Sequence, residues 1–88
     1  MRFSVAIDVM PRSEISDPQG QTIERALPSR GFKGIEKMRV GKKLTFELAA
    51  EDEQAAAKLV QQACESILTN PIVEEFSFQI SRKEDAKT

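Results

Sequence analysis

An α+β fold of the order β-α-β-β-α-β is predicted by three features of this 88-residue sequence. Stretches near its two ends alternate apolar and polar residues, the period of a half-buried strand. Two stretches further in carry apolar residues at helical spacing. Between those lies Met38 to Leu48, which reads as two short strands joined by a tight turn.

In the first strand, Phe3 to Met10, the residues Phe3, Val5, Ile7 and Val9 share one face and Arg2, Ser4, Ala6 and Asp8 the other. Pro11 is expected to end it, because a residue without an N–H cannot continue a central ladder. Asp17-Pro18-Gln19-Gly20 then reads as a helix start: the Asp17 carboxylate accepts from free N–H groups, and Pro18 has its φ preset. Ile23, Ala26 and Leu27 form the apolar stripe of this helix. Pro28 would clash with the carbonyl four residues back, so the helix is expected to stop or kink there, with Gly31 just past its end.

A second strand is expected over Glu36 to Val40, followed by a turn or bulge at Gly41-Lys42 and a third strand carrying Leu44, Phe46 and Leu48 on one face. Glu51 or Asp52 can cap the second helix, whose stripe is Ala56, Leu59, Val60, Ala63, Cys64, Ile67 and Leu68. Asn70-Pro71 stops it. The fourth strand runs from about Val73 to Ser81, with Phe76, Phe78 and Ile80 on one face. Residues 1–81 thus form a single domain, and the charged, aperiodic 82–88 reads as a disordered tail. This order is the ferredoxin-like arrangement, in which two helices cover one face of an antiparallel sheet.

Composition narrows the function. The chain is 40 % hydrophobic and 31 % charged, with a formal net charge of −1, the balance of a globular protein. Nucleic-acid binding normally needs a concentrated basic surface, and none is evident. The start of the chain lacks the long apolar run of a signal peptide, and no stretch is apolar enough to span a membrane, so a cytoplasmic protein is expected. So small a core would gain from self-association, which removes further apolar surface from water.

Histidine is absent. Cys–His and Ser–His–Asp nucleophilic sites, His-ligated metals and the usual near-neutral base are therefore unavailable within one chain. Cys64 falls on the apolar stripe of the second helix, where a thiol acts as a small hydrophobe rather than a nucleophile. Glu51, Asp52 and Glu53 suit a helix N-terminus better than a cation site. The side chains of Glu74 and Glu75 fall on opposite faces of a strand and cannot act as a pair. No catalytic or metal-ligating set is expected.

Two stretches invite a binding role. Arg39, Lys42 and Lys43 flank Gly41, where the backbone can be approached closely; they suit an anion or an acidic partner, or equally are lysines that discourage edge aggregation. In the first helix, the cap explains Asp17 and Pro18, but glycine in a first turn costs about 0.5–1 kcal/mol relative to Ala. Gly20 therefore asks for a reason such as close contact with another backbone.

Three pieces together, Asp17-Pro18-Gln19-Gly20, Met38-Arg39-Val40-Gly41-Lys42 and Leu68-Thr69-Asn70-Pro71-Ile72-Val73-Glu74, resemble the PurS family, the small subunit of phosphoribosylformylglycinamidine synthase in purine biosynthesis. The similarity spans residues 3 to 80, with Pro28 and the charged tail as departures. It implies a non-catalytic subunit that bridges a glutaminase, PurQ, and an ATP-using synthetase, PurL, and supports ammonia transfer between them. It further implies a homodimer or homotetramer with no cofactor of its own, ATP and Mg²⁺ being used by the synthetase. Carried over by position, Asp17, Gln19, Gly20, Arg39, Gly41 and Lys42 are the expected subunit-contact residues. An amino-acid-binding regulatory domain of the ACT kind is the alternative on the same topology. An RNA-recognition domain would need outward aromatics where this chain has Ser4, Ala6, Thr45 and Glu47.

Overall fold

The computed structural model describes residues 1–83 of the chain. Its centre is β1 (Arg2–Pro11), the middle strand of a three-stranded antiparallel sheet in which it is flanked by β2 (Lys42–Ala49) and β3 (Glu74–Lys83). Pairing follows the alternation. Val5 lies opposite Phe46 and Ile80, and Ile7 opposite Leu44 and Phe78, so the apolar residues of all three strands share one face. On that face packs α2 (Glu53–Ala63), which contributes Ala56 and Val60, and the turn that extends it contributes Cys64. Phe3, Val5, Ile7 and Val9 are all buried. Burial of each of the larger side chains stabilises the fold by about 1.5–3 kcal/mol.

Both helix starts follow the expected chemistry. Asp17 caps α1 (Pro18–Ala26) by accepting from the Gly20 N–H at 3.0 Å, and Asp52 caps α2 by accepting from the Ala55 N–H at 2.8 Å. After Ala26 the chain tightens into a 3₁₀ turn at Pro28–Arg30 and leaves through Gly31 at φ 93°, a left-handed exit that glycine adopts without strain.

The structure departs from the sequence reading in five places. The stretch Glu36–Val40 joins no sheet, so the described residues form three strands, and Gly41 leads directly into β2 instead of turning a hairpin. The N–H groups of Met38 and Val40 are taken by side chains of α1 and its N-cap, as described below. Secondly, α1 contributes no side chain to the core cluster: its one buried residue is Gly20, and Ile23 is 40 % exposed.

Thirdly, Pro11 lies within β1, opposite Glu74. Pairing with β2 has already ended at Val9–Lys42, so no β2 carbonyl waits for an N–H at position 11, and the ladder toward β3 continues with the Arg12 N–H on the Val73 carbonyl at 2.9 Å. Fourthly, Arg82 and Lys83 belong to β3 and pair with Phe3 and Arg2. Lys83 also bonds Glu47 across the sheet, and Arg2 approaches the same carboxylate at 3.3 Å. The remaining tail, 84–88, lies outside the described residues.

Lastly, α2 does not continue as a regular helix. Residues Cys64–Leu68 form a π turn, closed by the Thr69 N–H on the Cys64 carbonyl at 3.2 Å, with the Thr69 hydroxyl donating to the same carbonyl at 2.8 Å. The wider turn rotates the expected stripe, so Ile67 faces outward and is 79 % exposed, while Cys64 and Thr69 are buried. Leu59, also expected in the stripe, is 47 % exposed at its margin.

Candidate subunit-contact site

The first and second of the singled-out stretches meet in space. Asp17 uses both carboxylate oxygens: Oδ1 caps Gly20, and Oδ2 accepts from the Val40 N–H at 2.9 Å. Two turns further along α1, Glu24 Oε1 accepts from the Met38 N–H, also at 2.9 Å. Two carboxylates on one helix face thus hold the returning chain as the rungs of a ladder would, and this is why Met38 and Val40 do not pair with a strand. Between the rungs the Met38 carbonyl lies against Gly20. A Cβ at position 20 would stand 2.5 Å from that oxygen and 2.8 Å from Asp17 Oδ2. The close backbone contact that Gly20 called for is this one.

The chain reaches the clip through Gly34 at φ 85° and Lys37 at φ 61°. Lys37 is the one non-glycine residue with positive φ among the described residues. Such a conformation costs a β-carbon residue about 1–2 kcal/mol, and the two hydrogen bonds that follow immediately hold it in place. Electrostatically, the Val40 and Gly20 N–H groups hold the Asp17 carboxyl below the usual carboxylate range, with a smaller contribution from the Arg39 guanidinium.

Gln19, Gly41 and Lys42 lie beside the clip around a shallow hollow of about 220 Å³ that Val9 and Glu74 also line. Gly41 is not a turn glycine, since its φ is not positive; a Cβ there would run into the Val9 carbonyl and Met10 Sδ. The Nζ atoms of Lys42 and Lys43 lie 3.9 Å from Glu74 and 3.6 Å from Asp8. Exposed pairs of this kind add little stability, but they give each lysine a carboxylate neighbour, which favours the edge-lysine reading over a free anion site. Arg39 differs. Its Nη2 is buried without a hydrogen-bond partner, and the residue lines both a hollow with Asp8, Glu75 and Ser77 on the polar side of the sheet and one with Asp17 and Glu24 beside α1.

Asp17, Gly20 and Arg39 are therefore brought together, and Gln19, Gly41 and Lys42 adjoin them. Sequence reasoning missed Glu24. It stands seven residues after Asp17, two helical turns, and that spacing is the signal that could have found it. It also missed Arg12, whose Nε and Nη2 both donate to the Pro71 carbonyl at 3.0 and 2.7 Å, fastening the start of the excursion to the loop before β3. Among the described residues no group of three His, Cys, Asp or Glu side chains is placed to hold a metal, and no helix is long and apolar enough to cross a membrane.

Residues 4–82, including all six candidate residues and the clip, match the family model PurS, described as phosphoribosylformylglycinamidine (FGAM) synthase. The chain belongs to the PurS family. A relative from Thermotoga maritima, phosphoribosylformylglycinamidine synthase subunit PurS, is 45 % identical over 74 residues, 84 % of this chain and 90 % of that protein. Its Synechocystis counterpart is 32 % identical over 86 residues, 98 % of this chain and 86 % of that protein. Among solved structures, the T. maritima PurS subunit superposes with a TM-score of 0.84 at 41 % identity, covering 92 % of this chain and 93 % of that one. A chain in the structure of PurLQS from T. maritima gives a TM-score of 0.84 at 41 % identity, covering 92 % and 99 %. The family resemblance carried by the sequence motifs therefore holds, as does the expected α+β, ferredoxin-like class: the three antiparallel strands and two helices seen here match the PurS structures. This PurS chain is a subunit of phosphoribosylformylglycinamidine synthase, a ligase.

Proposed function

We propose that this PurS chain bridges the glutaminase PurQ and the synthetase PurL within phosphoribosylformylglycinamidine synthase, and supports passage of ammonia between them. In that reaction the synthetase uses ATP to activate the amide oxygen of formylglycinamide ribonucleotide, and ammonia released from glutamine displaces it. ATP and Mg²⁺ belong to the synthetase, and this chain carries no cofactor. It acts as a homodimer or homotetramer. The observation that carries the reading is the likeness of nearly the whole chain to one chain of a PurLQS assembly. The local geometry suits a rigid connector: two carboxylate clips and the buried Gly20 contact fix α1 to the returning chain, so that Asp17, Gln19, Arg39, Gly41 and Lys42 would present a defined surface to other subunits.

The test is synthesis of formylglycinamidine ribonucleotide by the matching glutaminase and synthetase, with and without this chain, driven by glutamine or by an ammonium salt. A requirement for the chain with glutamine but not with ammonium supports bridging. Equal glutamine-driven rates in its absence refute it.

A further inference from the structure

Four charged side chains line one hollow beside α1 without forming an ion pair with one another. The hollow, of about 520 Å³, receives Asp17 and Glu24 from the helix and its cap, Lys37 and Arg39 from the returning chain, and apolar surface from Ile15 and Met38. Its volume falls within the roughly 300–1,000 Å³ of small-molecule sites. The lysines of the sheet are in a different state, since Lys42, Lys43 and Lys83 each have a carboxylate partner.

The hydrogen bonds show which of the four charges are still available. Asp17 commits both carboxylate oxygens, to the Gly20 and Val40 N–H groups. Glu24 commits Oε1 to the Met38 N–H, and its Oε2 has no partner among the described residues. Lys37 and Arg39 make no ion pair among those residues either. Arg39 Nη2 is moreover buried without an acceptor. A guanidinium nitrogen in that state has given up its hydration without return, and a carboxylate entering the hollow can recover the loss by drawing the group toward it. Lys37 is held in place at φ 61°, and backbone strain of this kind gathers where ligands are held.

Two cations and two carboxylates around one space suit a ligand that is neutral overall but carries both signs apart. From this balance, and from the unpartnered Glu24 Oε2 and Arg39, we infer that the hollow binds a free α-amino acid with an uncharged side chain. Its carboxylate pairs with Arg39 and Lys37, its ammonium meets Glu24 Oε2, and its side chain lies against Ile15 and Met38. A second carboxylate on the ligand would face Asp17 and Glu24, and a simple anion would leave those two acids opposed to it. The hollow on the other side of Arg39, about 230 Å³, sets that one cation against Asp8 and Glu75 and lacks the balance. Because the Asp17 and Glu24 bonds fix the walls to each other, the ligand meets groups already in place, which lowers the cost of binding. The site goes beyond the bridging role and does not depend on it.

The probe is L-glutamine, the uncharged amino acid of the proposed reaction, titrated into the isotope-labelled full chain and followed by amide NMR. Saturable shifts are expected at Ile15, Gln21, Glu24 and Lys37 to Arg39. L-Glutaminamide, which lacks the carboxylate, and N-acetyl-L-glutamine, which lacks the ammonium, should each bind at least tenfold more weakly. Arg39→Gln and Glu24→Gln should weaken L-glutamine to a similar degree. Glu24→Gln keeps an oxygen for the Met38 N–H, so an amide spectrum unchanged outside the hollow shows that the fold is retained. No saturable shift up to about 10 mM, where a site of millimolar affinity is filled, overturns the inference. So do shifts that map elsewhere, or analogues that bind as tightly as L-glutamine. If the same amides respond to the glutaminase or the synthetase but not to the amino acid, the hollow is a subunit contact and the inference is again overturned. Bridging is read separately, from the glutamine- and ammonium-driven rates, so either reading can fail while the other stands.

Discussion

Gly20→Ala puts the clip to a test of sign. In an exposed helix, exchanging glycine for alanine stabilises by about 0.5–1 kcal/mol, because the unfolded chain loses freedom it would otherwise regain. Here the added Cβ would stand 2.5 Å from the Met38 carbonyl oxygen, and real Cβ atoms essentially never approach closer than 3.0 Å. The oxygen belongs to backbone held on both sides, by the Glu24 bond to Met38 N–H and the Asp17 bond to Val40 N–H. It can retreat only by stretching those bonds. Overpacking of this kind costs about 1–3 kcal/mol, so the net effect is a loss of about 1–2 kcal/mol. For a domain of this size each kcal/mol moves Tm by about 4–8 °C. Thermal unfolding followed by circular dichroism should therefore show Tm lowered by roughly 5–15 °C. Hydrogen exchange at the Val40 amide should quicken in parallel. An unchanged or raised Tm would refute the clip as the reason for glycine at this position.

Other expectations follow from the same geometry. Gly41→Val should destabilise the fold as well as the assembly, by about 1–3 kcal/mol in denaturant unfolding, because its Cβ meets the Val9 backbone carbonyl; a variant that folds normally and only fails to assemble would return Gly41 to a pure contact role. Asp17 is held below the usual carboxylate range by two N–H groups, and Glu47 by Lys83 and Arg2. Each favours the native state at pH above the ordinary carboxylate values, and that contribution is lost as pH falls through the lowered ones. The stability gap between the native chain and Asp17→Asn should accordingly narrow in acid, and a gap independent of pH would contradict the assignment. Burial, and secondarily Glu65, push the Cys64 thiol up, so a disulfide reagent at mildly alkaline pH should label it only as fast as the chain opens. Rapid stoichiometric labelling of the native protein would be incompatible with its place in the core.

How much of this was legible in the sequence depends on the distance over which each hydrogen bond is made. The alternation of Phe3 to Val9 and the Asp17-Pro18 start, with its stop at Pro28, are local signals, and each is found where it was expected. Met38 and Val40 also alternate, but their N–H groups end on carboxylates 14 and 23 residues away, which no period-two pattern can register. The extension of β3 through Lys83 was hidden for a related reason. A charged run reads as solvated until Glu47 and Arg2 are known to lie beside it. Within the candidate site, capping chemistry foretold the role of Asp17, and the cost of glycine in a first turn foretold a backbone neighbour at Gly20. What named the contact residues as a group was the family motif rather than any spacing.

The π turn at Cys64–Leu68 also bears on how this helix tolerates changes in length. A bond from Thr69 back to Cys64 spans one residue more than the α-helical bonds that precede it. The helix end therefore holds one residue in surplus, and its exposed members Glu65 and Ser66 fill no space in the core. Removing either would let the last turn close with ordinary α-helical bonds while Val60, Cys64 and Thr69 kept their places and β3 its register. Removing a residue between Ala56 and Val60 would instead rotate every later core position by about 100°. The end of α2 is thus a place where the helix can shed a residue without its buried face being rewritten.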